Sequence, residues 1–307
     1  MGQKFLFLSK RSAGQNRHQP TLLMVERRLK MTEASVPMSD PIGLIAGNRS
    51  LPLLFARQAR KMGAARIVVV AFEGQTDPGL VELVDDIIWI KVGQLGKLLA
   101  AFQERQVRRC VMLGQIAPSS LFDLRPDFRA MGLLLRLKEK NAHSIFGALA
   151  EELQKGGIEL ITPIPWLKPL MAPAGFLLGP SLTETEREDV RFGFGIAKEI
   201  SRLEIGQLVV VKAGTVLAVE GFEGTDKCLA RGGELAGRDG GAIAVKVAKE
   251  QHDMRFDIPC IGPKSLETCA AARIRVLAIE AEKNLVIEQE EVERLAKRHR
   301  ITVLTTA

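Results

Sequence analysis

Three acidic side chains, Glu220, Glu223 and Asp226, fall within the stretch 216–226, which reads Val-Leu-Ala-Val-Glu-Gly-Phe-Glu-Gly-Thr-Asp. The pattern predicts a strand that ends at Glu220, a turn through two glycines, and a helix that starts at Thr225 or Asp226. Carboxylates this close raise one another's pKa unless a cation compensates them. Such an oxygen-rich corner suits Mg²⁺ or Mn²⁺. The alternative is a helix N-cap, in which Thr225 or Asp226 satisfies free backbone N–H groups.

A second charged stretch covers residues 246–257. If its end is extended, Asp253, Arg255 and Asp257 share one face of a strand, because successive side chains alternate. Lys246 lies close enough in sequence to join a phosphate site. The alternative is a ladder of ion pairs on a solvated face.

The segment 42–52 reads Ile-Gly-Leu-Ile-Ala-Gly-Asn-Arg-Ser-Leu-Pro, which predicts a strand, a glycine turn and a helix that begins at Pro52. Free N–H groups at the helix start, with Gly47 allowing close backbone approach, suit a phosphate. The segment lacks the spacing G-x-G-x-x-G, so it does not indicate a nicotinamide dinucleotide. The alternative is a plain turn with an exposed Arg49.

The predicted helices and strands that position these residues alternate regularly only up to about residue 163. Before that point, short continuous apolar runs predict strands that are buried on both faces of a parallel sheet. The predicted strands are 42–46, 67–72, 87–91, 110–113 and 159–162, and the predicted helices are 52–62, 78–84, 95–105 and 144–155. This alternation predicts an α/β protein with a Rossmann-like layered N-terminal domain over 41–163.

Five prolines between residues 163 and 180 predict a linker, 164–182, between two domains. Beyond the linker, strands and helices no longer alternate strictly. The predicted strands there are 207–211, 216–220, 242–247, 255–259, 276–280 and 285–287, and the predicted helices are 183–203, 265–272 and 289–297. We therefore expect a mixed α/β C-terminal catalytic domain over 183–307.

Composition excludes several classes of protein. With 307 residues, 46% of them apolar and 26% charged, the bulk of the chain is neither disordered nor collagen-like. The absence of Tyr, beside 13 Phe and 2 Trp, disfavours a nucleic-acid platform of stacked aromatic rings. The four cysteines form no C-x-x-C pair, which disfavours a zinc site or a disulfide framework. No apolar run reaches the roughly 18 residues of a membrane span, and we expect a cytoplasmic enzyme.

The net charge of +7 is concentrated at the start of the chain, where residues 1–40 hold seven Lys or Arg and only three acids. We expect a disordered basic extension over 1–40. A tail of this kind also suits contact with RNA or with an anionic membrane.

In this order, the motifs resemble those of the bacterial UDP-2,3-diacylglucosamine pyrophosphatases of lipid A biosynthesis, over residues 41–307. The resemblance is carried by the glycine loop with Leu51-Pro52, Gly114-Gln115, Phe192-Gly-Phe-Gly-Ile-Ala-Lys198, Gly206-Gln-Leu-Val-Val-Val-Lys212, Glu223-Gly-Thr-Asp226, Lys246-Val-Ala-Lys249, and 251–259 followed by Ile261-Gly262-Pro263. The chain departs from the family pattern at Asn48-Arg49, where glycine is usual, and at Asn141-Ala142-His143, where many members carry an Asp pair.

The resemblance implies a two-domain enzyme that hydrolyses UDP-2,3-diacylglucosamine between its domains, with Mg²⁺ or Mn²⁺, to UMP and 2,3-diacylglucosamine 1-phosphate. It identifies Asp226 as the essential aspartate. From the chemistry of a phosphoanhydride, we predict that Glu223 assists Asp226 in catalysis and that Asp226, Glu220 and Asp257 bind the metal. The predicted substrate-binding residues are Gly47, Asn48, Arg49, Ser50, Gly114, Gln115, Lys212, Thr225, Lys246, Gln251 and Arg255.

The apolar stretches 130–137 and 166–178 are candidates for contact with two acyl chains. The expected partners are the nucleotide-sugar substrate, its lipid monophosphate product, the cytoplasmic face of the inner membrane and a second copy of the chain, but no nucleic acid. Two alternatives remain open. One is a Rossmann-like nucleotide-sugar or NAD(P)-dependent oxidoreductase, and the other is a non-enzymatic RNA- or membrane-binding protein whose binding falls steeply with salt.

Overall fold

The computed structural model describes residues 40–116, 126–137, 142–249, 253–256 and 258–307. The strands in these ranges are β1 (Ile42–Ala46), β2 (Ile67–Phe72), β3 (Asp86–Ile90), β4 (Arg109–Leu113), β5 (Glu159–Leu160), β6 (Leu177–Leu178), β7 (Leu208–Lys212), β8 (Thr215–Val219), β9 (Ala242–Lys246), β10 (Cys260–Ile261), β11 (Ile274–Glu280), β12 (Leu285–Val286) and β13 (Thr302–Thr306). The α-helices are α1 (Leu51–Lys61), α2 (Leu95–Glu104), α3 (Phe128–Arg136), α4 (Ala142–Lys155), α5 (Ile164–Leu167), α6 (Glu184–Arg202), α7 (Thr225–Leu235), α8 (Pro263–Ala271) and α9 (Gln289–His299), and 3₁₀-helices cover Pro78–Leu83 and Lys168–Leu170. No helix within these ranges has the length and apolar character needed to cross a membrane.

The first five strands form a parallel sheet in the order β3-β2-β1-β4-β5. Strand β2, Ile-Val-Val-Val-Ala-Phe, is buried along its whole length, as expected where helices cover both faces of a sheet. The chain passes from β1 outward to β2 and β3, and then returns to the other side of β1 to form β4 and β5. The strand order therefore reverses between β1 and β4. In open α/β sheets, ligands bind outside the carboxyl ends of the strands at such a point.

A second sheet has six strands in the order β6-β13-β11-β9-β7-β8. Strand β7 is antiparallel to both β8 and β9, whereas β9, β11 and β13 are parallel to one another. Strands β8, β9, β11 and β13 therefore end at the same edge of the sheet. Helix α7 starts at this edge, directly after β8, and α8 and α9 start at the same side after the short parallel strands β10 and β12.

Helices cover both faces of the mixed sheet at close range. Helices α7, α8 and α9 share one apolar core with the sheet, and α6 packs on the opposite face. A Cβ atom at Gly193 of α6 would lie 2.7 Å from Val245, and one at Gly232 of α7 would lie 2.5 Å from Val210. A residue larger than glycine at either position would clash with the strand beneath it, so glycine allows both helices to pack closely on the sheet.

Contacts of the segment 253–256 join the mixed sheet to the parallel sheet. The ring centroids of Phe146 and Phe256 lie 5.4 Å apart, and the Thr162 hydroxyl donates to the carbonyl of Met254 at 3.4 Å. Residues Ser39–Ala307 accordingly form one compact unit. The division into domains at 163 and 183 stays a prediction.

The predicted α/β class, with a parallel sheet followed by a mixed one, is confirmed. Most predicted elements lie within a few residues of the observed ones, but the strand predicted at 255–259 is wrong. Residues 254–256 form a turn instead, and the short strand β10 begins at Cys260. Helix α3 and strand β13 were not predicted.

Candidate active site

The carboxyl ends of β1 and β4 meet through their backbones. The amide of Gly47 donates to the carbonyl of Leu113 at 2.8 Å, and that of Asn48 donates to Gln115 at 2.7 Å. A Cβ atom at Gly47 would lie 2.6 Å from the Gln115 carbonyl oxygen, and Gly114 has a φ of +90°. Glycine is required at both positions because the two loops leave no room for a side chain.

This edge also carries polar side chains. The Oδ1 atom of Asn48 is buried and accepts no hydrogen bond from the part of the chain that the structure describes. Arg49 is exposed and has a φ of 69°, a left-handed conformation that is uncommon outside glycine. The predicted residues Gly47, Asn48, Arg49, Gly114 and Gln115 thus do come together at the switch point.

Ser50 connects this edge to the mixed sheet. It precedes α1 but makes no side-chain cap; its hydroxyl donates to Glu288 Oε1 at 2.7 Å. Glu288 stands immediately before α9 and has a left-handed φ of 52°. This hydrogen bond joins the N-terminus of α1, at the carboxyl edge of the parallel sheet, to the N-terminus of α9.

At the edge of the mixed sheet, Glu220 holds the corner between β8 and α7. Its Oε1 accepts the hydroxyl of Thr225 at 2.8 Å, and its Oε2 accepts the backbone N–H of Gln207 at 3.1 Å. The carboxylate is buried, at 6% exposure. A Cβ atom at Gly206 would lie 2.1 Å from the Glu220 carbonyl oxygen, so the backbones at Gly206 and at Glu220 pack in direct contact.

Glu223 lies in the turn before α7, and its carboxylate contacts the side chain of Arg231, a residue of that helix. The guanidinium donates to Glu223 Oε1 at 2.6 Å, and the amide of Gly221 donates to Oε2 at 3.0 Å. The hydrogen bond from Arg231 is the main cause that lowers the pKa of Glu223 below its ordinary value. This side chain is therefore an anion at neutral pH.

Asp226 is the second residue of α7, and it does not cap the helix. The N-cap is Gly224, with no side-chain hydrogen bond, so the capping alternative for Asp226 is wrong. The carboxylate is half exposed and lies 3.1 Å from the ammonium group of Lys264. Among the three acids of this corner, Asp226 has the carboxylate with the greatest access to solvent.

Lys246, at the end of β9, is a buried cation with only 9% exposure. By alternation along β9 its side chain shares the face of Ala242 and Ala244, which pack beneath α7, α8 and α9. Its Nζ donates to the carbonyl of Cys260 at 3.4 Å, and no acid within the described ranges lies in ion-pair distance. Burying an ammonium group without a counter-charge is costly, and within the described ranges the contact of this one is a backbone carbonyl and not an acid.

Other predicted residues lie elsewhere or lack a description. The Nζ of Lys212 donates to the carbonyls of Ala236 and Gly240, at 2.8 and 2.7 Å, at the opposite edge of the mixed sheet. Arg255 forms a two-pronged pair with Asp253, as the ion-pair alternative expected, and the pair raises the pKa of Arg255. The predicted residues Gln251 and Asp257 lie outside the described residues.

Three helices of the mixed sheet start side by side at this edge. Helices α7 and α8 are parallel, because Asp226 contacts Lys264 at their starts and Gly233 abuts the Ala272 carbonyl at their ends. Gly262, which precedes α8, packs against Ile287, which precedes the start of α9. The free N–H groups and dipoles of parallel helices favour an anion at their N-termini.

The described residues contain no cluster of three His, Cys, Asp or Glu side chains that could hold a metal ion. Both oxygens of Glu220 already accept hydrogen bonds, and its role as a ligand stays a prediction. Mg²⁺ in proteins is commonly held by one or two carboxylates together with substrate phosphates. The exposed carboxylate of Asp226 fits that arrangement.

Two residues of this site were not predicted, Lys264 and Glu288. Each stands at a strand-to-helix junction, after Ile261-Gly-Pro263 and after Leu285-Val-Ile287 respectively. That junction is the signal that could have identified them. Cys228 and Cys269 contribute no nucleophile here, because burial raises the pKa of each to about 12.

Comparison with known proteins gives two family models that together cover most of the chain. The model described as the LpxI N-terminal domain matches residues 41–170, and the model described as the LpxI C-terminal domain matches residues 173–304. A protein of Caulobacter vibrioides, named UDP-2,3-diacylglucosamine pyrophosphatase LpxI, is 30% identical over 261 residues, which cover 82% of this chain and 92% of that protein.

Solved structures give only remote likenesses. N5-carboxyaminoimidazole synthetase from Staphylococcus aureus, complexed with ADP, is 16% identical with a TM-score of 0.23, over 67% of this chain and 47% of that chain. The corresponding enzyme from Thermotoga maritima is 15% identical with a TM-score of 0.22, over 60% of this chain and 42% of that chain. The chain thus spans less than half the length of either, and scores this low do not indicate a shared fold.

Proposed function

Because the chain belongs to the LpxI family, we propose that it hydrolyses the pyrophosphate bond of UDP-2,3-diacylglucosamine in lipid A biosynthesis. Water adds to one phosphorus, the bridging oxygen leaves with the other phosphate, and a proton is released. The products are UMP and 2,3-diacylglucosamine 1-phosphate. The protein acts as a hydrolase on a phosphoanhydride.

The observation that carries this proposal is the accessible carboxylate of Asp226, paired with Lys264 at the N-termini of two parallel helices, with the buried cation Lys246 at the same edge of the sheet. A phosphoanhydride repels nucleophiles through its negative charge, so a catalyst must neutralise its oxygens and position a water molecule. Lys246 and the N-termini of α7 and α8 supply positive potential, and Asp226 supplies the carboxylate that orients water. Glu223, held as an anion by Arg231, supports the turn that carries Asp226.

At the edge of the parallel sheet, the loop glycines and the N–H groups that begin α1 would receive the nucleotide. The buried Oδ1 of Asn48, which accepts no hydrogen bond from the described residues, is an acceptor that a hydroxyl or an imide N–H of the ligand would satisfy. An acceptor left unpaired inside a protein costs about 1–3 kcal/mol, which a bound donor would recover.

We further propose that Mg²⁺, or Mn²⁺ in its place, is bound through Asp226. When bound, the metal would withdraw charge from the phosphate oxygens. The residues of this chain do the remaining work: Lys246 balances negative charge, Thr225 holds Glu220 in place, and the helix N-termini orient the anion.

Contact with the cytoplasmic face of the inner membrane belongs to the same proposal. On α3 the side chains of Phe128, Met131 and Leu135 are exposed along one stripe, Phe128 at 94%. Arg129 and Arg136 flank this stripe, which suits an anionic lipid surface. Of the other predicted acyl stretch, Trp166 and Leu167 are buried in the core, Trp166 against Phe55. A homodimer stays a prediction.

The experiment is hydrolysis of UDP-2,3-diacylglucosamine by the purified chain, with products separated and phosphorus resonances recorded. We expect equal amounts of UMP and lipid monophosphate with Mg²⁺ present, and none in EDTA. UDP-N-acetylglucosamine, which lacks the acyl chains, should be a poor substrate. Activity that persists in EDTA would refute metal dependence alone, whereas a folded protein without turnover in either condition would refute the function.

A further inference from the structure

We propose that Lys264 binds the diphosphate of the substrate, by exchanging its ion pair with Asp226 for one with a phosphate oxygen. This inference rests on the proposed function, because it names a binding residue for that reaction. In the structure the ammonium group of Lys264 lies 3.1 Å from Asp226 Oδ2. Lys264 is the second residue of α8, just as Asp226 is the second residue of α7.

The position of Lys264 is not explained by folding stability. A cation in the first turn of a helix opposes the helix dipole, and the first turn of α8 contains no acidic residue that would offset it. Its pair with Asp226 is solvent-exposed, at 66% for the lysine side chain and 48% for the aspartate. Exposed pairs of this kind contribute little to the free energy of folding.

A second cation lies at the same corner. The Nζ of Lys246 contacts the carbonyl of Cys260, two residues before the N-cap glycine of α8, and the side chain is about nine-tenths buried. Lys246 therefore contacts the strand that leads into α8, Lys264 lies in the first turn of α8, and Asp226 is the acid that pairs with Lys264 among the described residues. This charge distribution matches a ligand with two or more negative charges.

The exchange follows from the charges involved. A diphosphate carries more negative charge than a single carboxylate, so at a similar distance it attracts the Lys264 ammonium group more strongly. The long, exposed lysine side chain can turn from Asp226 to the ligand without moving the backbone. Release of Lys264 also frees the carboxylate of Asp226 at the moment when the ligand is in place.

The test is titration of UDP, a diphosphate that the reaction does not consume, followed by calorimetry in EDTA. Lys264→Met should weaken UDP binding at least tenfold, whereas Lys264→Arg, which keeps the charge, should stay within about threefold of the wild type. The matched control is Lys297→Met, because Lys297 is equally exposed, at 68%, and pairs with Glu293. This control should bind UDP as the wild type does. A thermal melt of each variant verifies folding.

In turnover experiments, Lys264→Met should raise KM about tenfold or more and change kcat by less than about threefold, because the contact is made in both ground and transition states. Equal UDP affinity for the wild type and Lys264→Met would overturn the inference, as would no measurable UDP binding by the wild type. Failure of the proposed function has a different signature. The wild type would then bind UDP more tightly than Lys264→Met but release no UMP from UDP-2,3-diacylglucosamine.

Discussion

The carboxyl edges of the two sheets, joined by the hydrogen bond between Ser50 and Glu288, are built in different ways. The edge of the parallel sheet consists largely of backbone: Gly47 and Gly114 let two loops touch, and Arg49 is the one charge among the predicted residues there. The edge of the mixed sheet consists of charged side chains, with Glu220 and Asp226 at the junction of β8 and α7 and Lys246 at the end of β9.

The difference indicates a division of roles. Backbone amides in a rigid loop recognise the shape of a ligand and change little with charge, whereas charged side chains act on the atoms that gain or lose charge in the reaction. We therefore assign recognition of the nucleotide to the parallel-sheet edge. To the mixed-sheet edge we assign the chemistry, through Asp226, and the binding of the diphosphate, through Lys246 and Lys264. Variants at the parallel-sheet edge should change KM, whereas Asp226→Asn should change kcat.

The largest effect is expected from Asp226→Asn at the charged edge. The substitution keeps size and hydrogen-bonding capacity but removes the negative charge, so kcat should fall by about 10³-fold, or roughly 4 kcal/mol of barrier. The matched control is Asp239→Asn, an exposed aspartate in the loop after α7, at the other end of that helix. Steady-state rates of UMP release check both variants. A kcat for Asp226→Asn within tenfold of the wild type would remove the chemistry from this edge.

The next effect compares two lysines at opposite edges of the mixed sheet. Lys246→Met should weaken UDP binding by about 10–100-fold and raise the melting temperature, because an apolar isostere avoids burying an ammonium group that pairs with no acid in the described ranges. For Lys212→Met we expect an unchanged UDP affinity. Its free energy of unfolding should fall by roughly 2 kcal/mol, because two carbonyls lose their donor.

Calorimetry and thermal melts distinguish these outcomes. Equal UDP affinity for wild type and Lys246→Met would show that Lys246 serves the core alone. A loss of affinity in Lys212→Met would instead extend the charged site to the opposite edge.

The smallest effect is expected at the backbone edge. Gly47→Ala places a methyl group 2.6 Å from the Gln115 carbonyl, so we expect a loss of about 1–3 kcal/mol in stability and a rise in KM with little change in kcat. Gly195→Ala is the control, because nothing lies within 4 Å of a Cβ there and α6 should gain up to about 1 kcal/mol. Chemical denaturation and initial rates measure these changes; a kcat loss larger than the KM effect would contradict the division of roles.

The sequence predicted the backbone edge more completely than the charged edge. Local patterns suffice for the first: β1 and β2 were predicted with the bounds observed, and the glycine turn follows β1 directly. The turn at 254–256 was not predicted because its alternating charged and apolar residues have the pattern of a strand. In the structure Arg255 instead pairs with Asp253, two residues earlier in the chain.

The contact between Lys264 and Asp226 could not be predicted from spacing. The two residues are neighbours only because α7 and α8 run parallel, with Gly233 letting their far ends touch. Strand β13 escaped for a similar reason: Thr-Val-Leu-Thr-Thr at the chain end has no turn signal after it, and its pairing with β11 is a tertiary event. Contacts that depend on packing between elements distant in the sequence cannot be predicted from local sequence patterns.

The claim that one substrate lies between the two edges is tested most directly by amide hydrogen exchange of Asp226→Asn with and without UDP-2,3-diacylglucosamine. Exchange reports local opening, and a bound ligand slows it where it contacts or orders the backbone. The account predicts slower exchange at both the segment 47–55, which covers the loop after β1 and the start of α1, and the junction 261–268, with no change in the hairpin turn 212–215. Protection confined to one of the two edges would contradict it.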